Sequence, residues 1–339
     1  AELLGFLRET SIVDRLSAPL CDAITARHDA AALLARLERQ QLVAPLDPEH
    51  TVYACHQLFR EYLAQQLATQ PADDVAALHR RASAWYEALG YESESVKHLL
   101  AAGDTSAALI RIADCAERMV ESGDLLTLLH WEQQLRAKGI ALPLALQLSI
   151  IWAEALTLSG AQAQQHITAV EEAVAARDDP EARIVRRECL ALRATTRALA
   201  DDTAQAYELV QRYDPQAQDR PLVRDSVCNV ARYAHARAAR WKEFYAVPRV
   251  GLGGPTSHVL PATYEADLRA VAEMSQAHTQ AAEVLYRQSL ETGGHVPRFA
   301  GATSMALGPY AELLYETGRT AEAEALLRED IDLVANGVT

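Results

Sequence analysis

The densest group of side chains suited to ligand binding lies in a locally basic segment, residues 224–242. Arginine guanidinium groups form paired hydrogen bonds to carboxylate or phosphate, and aromatic rings stack on cations and planar ligands. The segment predicts a site for an anionic effector, with these candidate residues: Arg232, Tyr233, His235, Arg237, Arg240 and Trp241. The alternative is a solvated helix face whose basic side chains pair with acids of neighbouring helices and contribute little per pair.

Catalytic and metal-binding patterns are missing from the sequence. Acidic residues stand in adjacent pairs such as Asp73-Asp74, whose side chains diverge on a helix. No Gly-rich loop ends in Gly-Lys-Ser/Thr, and neither an HExxH nor a GxSxG motif occurs. The five cysteines are scattered and form no CxxC pair, which predicts reduced thiols and no zinc site. We therefore expect that the chain is not itself an enzyme and has no metal site.

The local patterns of residues 1–70 predict a compact N-terminal unit of the winged-helix type. A helical pattern covers residues 30–40, and two short strands, 43–46 and 51–54, flank the turn at residues 47–50. These strands can pair as a wing, and a helix that begins near His56 closes the unit. We expect a winged-helix domain over residues 1–70.

The same region resembles a known family of regulators. The resemblance is carried by residues 6–11, 16–22, 33–39, 46–47 and 53–63, the last of which reads YACHQLFREYL. Their order is similar to the MalT-type branch of the LuxR-type transcriptional activators, which are signal-transducing ATPases. The resemblance implies a nucleotide-binding domain before this region and a DNA-binding helix-turn-helix after it. Since neither is found and the chain starts at Ala1, we expect a fragment.

The resemblance also assigns a role to His56. Its context, His followed by Gln-Leu-Phe-Arg-Glu, is similar to the His-Asp-Leu pattern of winged helices in related ATPases. The family implies that this histidine meets the β-phosphate of ADP and holds the inactive state, so ATP or ADP is the expected cofactor of the intact protein. An imidazole at a helix start can donate to a phosphate oxygen. The alternative is a histidine that only fixes the wing by hydrogen bonding.

Helical periodicity continues from about residue 73 to the end, with segments separated by Gly, Pro or Asp. We expect an irregular α-superhelix of tetratricopeptide-like repeats over residues 71–339, with a groove that binds a ligand or a partner. Its clearest unit is residues 309–327. There, Ala311 and Ala323 let two helices approach, Gly318 permits the tight turn, and Leu314 and Leu327 fill the seam.

Composition limits the partners that the chain is expected to have. A formal net charge of -14 disfavours direct nucleic-acid binding, because phosphate contacts need clustered Lys and Arg. No apolar run is long enough to span a bilayer, so we expect a cytoplasmic protein without a membrane contact. The resemblance implies a small-molecule inducer or a regulatory protein as partner, and self-association of the intact protein when it is activated.

These observations predict a regulatory and sensor fragment of a transcriptional activator. In this hypothesis the winged helix gates the nucleotide-binding domain, and the repeat superhelix binds an inducer or a regulator. The alternative function is a tetratricopeptide-like scaffold whose groove binds a peptide or protein. A closed pocket would favour the small effector, and an open apolar channel would favour the peptide.

Overall fold

A computed structural model describes residues 2–157, 159–250, 259–294 and 300–337. Within these ranges the chain forms eighteen helices and one small antiparallel sheet, so the predicted mainly α fold class is confirmed. The chain divides into two compact units, residues 1–114 and 115–339. The predicted domain boundary at residue 70 stays a prediction. None of the described helices is long and apolar enough to pass through a lipid bilayer.

The first unit contains the sheet and the first six helices. Its elements are α1 (Glu2–Thr10), β1 (Leu16–Ser17), α2 (Ala18–Thr25), α3 (Ala30–Arg39), β2 (Val43–Pro45), β3 (Val52–Cys55), α4 (Gln57–Leu67), α5 (Ala72–Ala88) and α6 (Glu92–Ala101). The strand order is β1-β3-β2, and both pairings are antiparallel. Leucine and isoleucine side chains from the first three helices fill the core beneath this sheet. The predicted hairpin and helix are therefore present.

The tip of the β2–β3 hairpin is organised by one acidic side chain. Asp47 Oδ1 accepts hydrogen bonds from the backbone N–H groups of Thr51 and Val52, at 2.9 and 3.0 Å. Short polar side chains at turns satisfy backbone donors that the strand ladder leaves unpaired. This turn ends the wing and sets β3 on a course that leads directly through His56 into α4.

The later helices begin at residue 105. They are α7 (Thr105–Ser122), α8 (Leu125–Ala137), α9 (Leu144–Leu156), α10 (Gly160–Val174), α11 (Pro180–Leu199), α12 (Thr203–Arg212), α13 (Pro221–Arg237), α14 (Trp241–Ala246), α15 (Val259–Ser275), α16 (Thr279–Gly294), α17 (Ala300–Glu316) and α18 (Thr320–Gly337). From α9 onwards each odd-numbered helix contacts both the helix after it and the next odd-numbered helix. Successive helical hairpins therefore pack side by side, with their first helices in one row.

Four of these hairpins turn in the same way. The second residue after the first helix has a left-handed backbone in each: Asp201, Ala239, Ala277 and Gly318, which are 38, 38 and 41 residues apart. At each turn the N–H of the following residue donates to a carbonyl in the last turn of the helix, as His278 does to Glu273 and Arg319 does to Leu314. This pattern is a Schellman closure. Only Gly318 has the residue type that announces it in the sequence.

Small side chains hold the two helices of these hairpins together at two fixed positions. Seven residues before the turn residue stand Ala194, Ala270 and Ala311, and five residues after it stand Ala206, Ala282 and Ala323, all buried. In the α13–α14 hairpin the same two positions hold Arg232 and Phe244, which are also fully buried. This hairpin thus lacks the small pair that allows close helix approach.

One detail of the predicted repeat is wrong. Gly318 has φ 80° and Leu314 is buried as expected, but the Leu327 side chain is 46% exposed. The preceding residue, Leu326, packs against the core of this hairpin instead. Since successive helical residues point about 100° apart, both leucines cannot face the same seam. The tetratricopeptide-like detail of the superhelix stays a prediction.

Candidate functional site

His56 stands immediately before α4 with its side chain exposed. Its carbonyl accepts the N–H of Arg60 at 3.0 Å, which begins the helix. The imidazole makes no hydrogen bond to any described residue, so it does not brace the wing within this part of the chain. The neighbouring α4 amides have no side-chain cap, and such unpaired helix-start N–H groups favour an anion. This placement suits a contact with a group outside the chain.

Arg232 lies in the core of the second unit with no exposed surface. Its Nη2 is 3.1 Å from Glu265 Oε1, and its Nη1 donates to Asn229 Oδ1 at 3.1 Å. The guanidinium also donates to the carbonyls of Val247 and Pro248. Burial lowers the pKa of Arg232, and the Glu265 carboxylate opposes that shift. The structure therefore directs this arginine to groups of the protein itself.

The other basic-segment candidates divide between two small clusters. Tyr233 donates its hydroxyl to Asp201, and Arg237 Nη2 lies 3.5 Å from the same carboxyl group. The second cluster forms around the Tyr207 ring, which has the Arg240 guanidinium 5.7 Å above it and the buried His235 at its edge. Trp241 lies elsewhere and packs edge-on against Phe244. The segment therefore forms no single patch with converging arginines.

A cavity of about 400 Å³ lies within the second unit, between α9, α11, α13 and α15. Its described walls are mainly apolar and include Leu156, Leu199, Leu222, Val230 and Leu260. Of the predicted candidates, Tyr233 lines this cavity and the other five do not. Its size falls in the range of about 300–1,000 Å³ that small-molecule sites occupy. The sequence did not indicate it, because its walls come from residues spread between positions 156 and 268.

Four polar side chains in the cavity wall are notable. Asp201 and Tyr233 are hydrogen-bonded to each other. Asn229 is engaged by the protein, since its amide donates to the Pro261 carbonyl at 2.8 Å. Thr195 is 7% exposed, and its hydroxyl has no hydrogen-bond partner among the described residues. A mainly apolar wall with a few placed polar groups is the usual form of a ligand site.

The described parts of the chain contain neither a cluster of metal-binding side chains nor, at Cys21 and Cys189, a reactive thiol. No group of three or more His, Cys, Asp or Glu side chains there is placed to hold a metal ion. Burial raises the pKa of Cys21 and of Cys189 to about 12, with neighbouring acids adding to the shift. A thiol with so high a pKa is not a nucleophile near neutral pH.

Comparison with known proteins assigns the N-terminal region. Residues 1–75 match the MalT winged helix domain. The chain is 30% identical over 349 aligned residues to the serine/threonine-protein kinase PknK of Mycobacterium tuberculosis, which covers 99% of this chain and 31% of that protein. It is 29% identical over 139 residues to the HTH-type transcriptional regulator MalT of Vibrio parahaemolyticus, covering 40% of this chain and 15% of the regulator.

A third relative, MalT of Serratia proteamaculans, is 33% identical over 107 residues, or 31% of this chain and 12% of that protein. No solved structure matches the chain. The chain therefore spans about a third or less of the curated relatives it matches. The domain match, the sheet order and the helix after His56 agree with one another, and the chain is accordingly MalT-like, with a MalT winged helix domain over residues 1–75.

Proposed function

We propose that this chain is the regulatory and sensor region of a transcriptional activator. The observation that carries the proposal is the MalT winged helix domain over residues 1–75, followed in the chain by helical hairpins that contain a cavity of ligand size. The relatives bear two different output names, a kinase and a transcriptional regulator, although both share sequence with this region. A region shared by proteins whose names give different activities is more consistent with a sensor than with a catalytic domain.

The winged helix gates a nucleotide-binding domain in this proposal. His56 supplies the contact to the β-phosphate of ADP, since it is exposed at a helix start and engaged by no described residue. Phosphate at a helix N-terminus meets unpaired N–H groups and the positive end of the helix dipole. Losing that contact when ATP replaces ADP would release the closed state and permit self-association.

The helical hairpins bind an inducer or a regulator. A ligand shifts the equilibrium between closed and open states only by its difference in affinity for the two. A site between four packed helices meets this requirement, because the helices enclose the ligand in one arrangement and not in another. The effector is expected at the cavity rather than along the basic segment, where Arg232 is already bound by Glu265.

A second candidate function is a scaffold that binds a peptide or a protein. It is favoured by exposed apolar side chains on the last two helices, namely Tyr315, Leu327 and Ile331. Such side chains, when contiguous, mark protein interaction surfaces. A groove on this hairpin would take an amphipathic helix or an extended segment.

A thermal-shift screen of the chain separates the two functions. A ligand that binds only the folded state at about 100 times its Kd stabilises the protein by roughly 2.7 kcal/mol. Saturable stabilisation by a small molecule is the expected result. Stabilisation by peptides or a regulatory protein alone would replace the sensor of small effectors with the scaffold.

The gating role is tested in trans with an ADP-loaded nucleotide-binding domain of a MalT-type regulator. The expected result is binding that His56→Ala weakens about tenfold, as the loss of a charge-assisted contact does. His28→Ala is the matched control, because His28 is also an exposed histidine of the first unit. Equal affinities of the two variants would remove His56 from the nucleotide contact.

A further inference from the structure

The cavity in the second unit has a defined chemical character. Its described walls are formed mostly by aliphatic side chains on the first helices of successive hairpins: Leu156, Leu199, Leu222, Val230, Leu260 and Leu268. Burial of apolar ligand surface against such walls favours binding. A ligand with a compact apolar body is therefore favoured over a sugar or another densely polar molecule, whose hydroxyl groups would lose their hydrogen bonds to water.

Charge in the described wall is of one sign. Asp201 is the acid that lines the cavity, and no lysine, arginine or histidine is among its described lining residues. Asp201 is held in place at the helix turn by its left-handed backbone, φ 57°, and by the hydroxyl of Tyr233. Arg237 lies 3.5 Å from this carboxylate, but both side chains are more than half exposed, so their pairing is weak.

The hydroxyl group of Thr195 is a second polar group near the cavity. Thr195 is more than nine-tenths buried on α11, and its hydroxyl bonds to no described residue. A buried hydroxyl without a hydrogen bond destabilises the fold. Because this hydroxyl also has almost no accessible surface, a molecule in the cavity does not reach it, and Asp201 is left as the polar anchor.

We propose that the cavity binds a small apolar molecule that ends in a hydroxyl or amine group, which donates to the Asp201 carboxylate, and that it rejects anions. This inference rests on the proposed sensor function and deepens it by naming the site and the ligand class. This ligand class differs from the anionic effector that the basic segment predicted. Of the basic-segment candidates, Tyr233 lines the cavity, and no cationic side chain is among the described lining residues.

The inference is tested with prodan, an uncharged naphthalene dye whose emission shifts to the blue in apolar surroundings. Saturable binding of prodan to the full chain is expected, with displacement by octanol and octylamine. Octanoate, which has the same alkyl chain and a negative head group, is expected to compete at least about tenfold more weakly, because burying an unpaired carboxylate is unfavourable. Octanoate competing as well as octanol would overturn the proposed ligand class.

Two variants place the dye. Ser226→Phe fills the cavity from α13, and it is expected to weaken prodan at least about tenfold; Ala198→Phe does the same from α11. Ser275→Phe is the matched control, on the exposed end of α15 outside the cavity, and binds as the parent does. Each variant is used only with an unchanged circular dichroism spectrum. If both fillers bind prodan normally, the dye binds elsewhere and the site assignment is wrong.

The head-group contact has its own pair of variants. Asp201→Asn is expected to weaken octylamine about threefold to tenfold while changing octanol little, because a charged acceptor binds a charged donor more strongly. Asparagine also tolerates the left-handed backbone of this position. The control, Asp202→Asn, alters a neighbouring acid that caps α12 and does not line the cavity. An equal loss in both variants would remove Asp201 as the anchor.

Arg237→Ala separates failure of this inference from failure of the sensor function. Tight octanoate binding that this variant abolishes would show an anion site at the rim and would overturn the apolar-amine class, while the sensor function would stand. No binding of prodan to the parent chain would overturn the inference alone if the thermal-shift screen still finds a small effector. No stabilising small molecule in either assay would overturn both.

Discussion

Arg232 occupies a helix position that belongs to alanine in the neighbouring hairpins. Ala194, Ala270 and Ala311 stand at the equivalent place, seven residues before the turn. A guanidinium can replace a methyl group there because Glu265 neutralises its charge and two backbone carbonyls accept hydrogen bonds from it. Glu265 itself also meets Arg249 at 2.6 Å and Arg269 at 2.7 Å. Arg232 therefore forms a structural ion pair with Glu265 in the one of these hairpins that lacks alanine at this position.

Substitution of Arg232 is expected to be severe. Arg232→Ala empties a fully buried position and leaves the carbonyls of Val247 and Pro248 without their donor, although Glu265 keeps its two other arginine partners. Large-to-small substitutions in a core cost about 2–5 kcal/mol. Arg237→Ala removes an exposed arginine of the same helix and is expected to change the free energy of unfolding by less than about 0.5 kcal/mol. Urea unfolding of the two variants measures the difference. Equal stabilities of the two variants would mean that the Arg232–Glu265 pair does not contribute to the free energy of unfolding.

Two histidines in contact give the first unit a dependence on pH. His98 is fully buried, and its Nδ1 lies 2.8 Å from Nδ1 of His79. Burial lowers the pKa of His98 to about 4, and His79 and Lys97 add to the shift, while Asp14 opposes it. The pKa of His79 is lowered as well, first by burial and then by Lys97. Both imidazoles are thus neutral in the folded protein at neutral pH.

The unfolded chain takes up protons near pH 6.5, the ordinary pKa of histidine, before the folded chain does. The unfolded state therefore binds more protons between pH 6.5 and 4, and stability falls as the pH drops through this window. For His98 the loss is about 3 kcal/mol. His98→Gln is expected to flatten the pH dependence of urea unfolding, and His28→Gln, an exposed control, is not. Parallel curves for all three proteins would contradict this account.

At the scale of elements, the recurring turn decides where each hairpin closes. Left-handed backbone costs a residue with a Cβ roughly 1–2 kcal/mol, and glycine avoids this cost. The fold accepts the cost at Ala239 and Ala277, and Asp201 is a type that tolerates it better. The two hydrogen bonds of the closure and the packing of both helices offset it.

Exchanging the turn residues is expected to move stability in opposite directions. Gly318→Ala lowers the free energy of unfolding by about 1 kcal/mol, and Ala277→Gly raises it by about 0.5–1 kcal/mol, because the backbones are alike. Ala266→Gly, within α15, is the control and destabilises by about 1 kcal/mol, as glycine does inside a helix. Thermal unfolding measures all three. Destabilisation by Ala277→Gly would contradict the argument.

Some elements of the fold can be predicted from local sequence patterns and others cannot, for physical reasons. The β2–β3 hairpin is predictable, because apolar residues flank a turn of Asp, Pro, Glu and His, whereas β1 has only two residues and shows no alternation. The turn at Gly318 is predictable from its glycine, but Ala239 and Ala277 carry no such signal. Tyr233 was a candidate for its type alone. The cavity it lines depends on helix packing, which no local pattern encodes.

At the scale of the whole molecule, net charge governs association with polyanions. With a formal charge of -14, the chain is expected to show no measurable binding to duplex DNA at 50 mM salt, since phosphate contacts depend on clustered cations. Fluorescence anisotropy of a labelled duplex checks this, with a basic DNA-binding domain as positive control. Binding that falls steeply with added salt would show a local basic surface that outweighs the total charge.

The Arg232–Glu265 pair has a consequence for how similar hairpins find their places. Alanine pairs at Ala194 and Ala206, Ala270 and Ala282, or Ala311 and Ala323 present nearly interchangeable seams to one another. A chain that slipped by one hairpin, or exchanged hairpins with a second copy, would bring Arg232 into a seam without an acid. Burying an unpaired charge costs several kcal/mol, so the misregistered arrangement is penalised. The α13–α14 hairpin thereby fixes the order in which its more uniform neighbours pack.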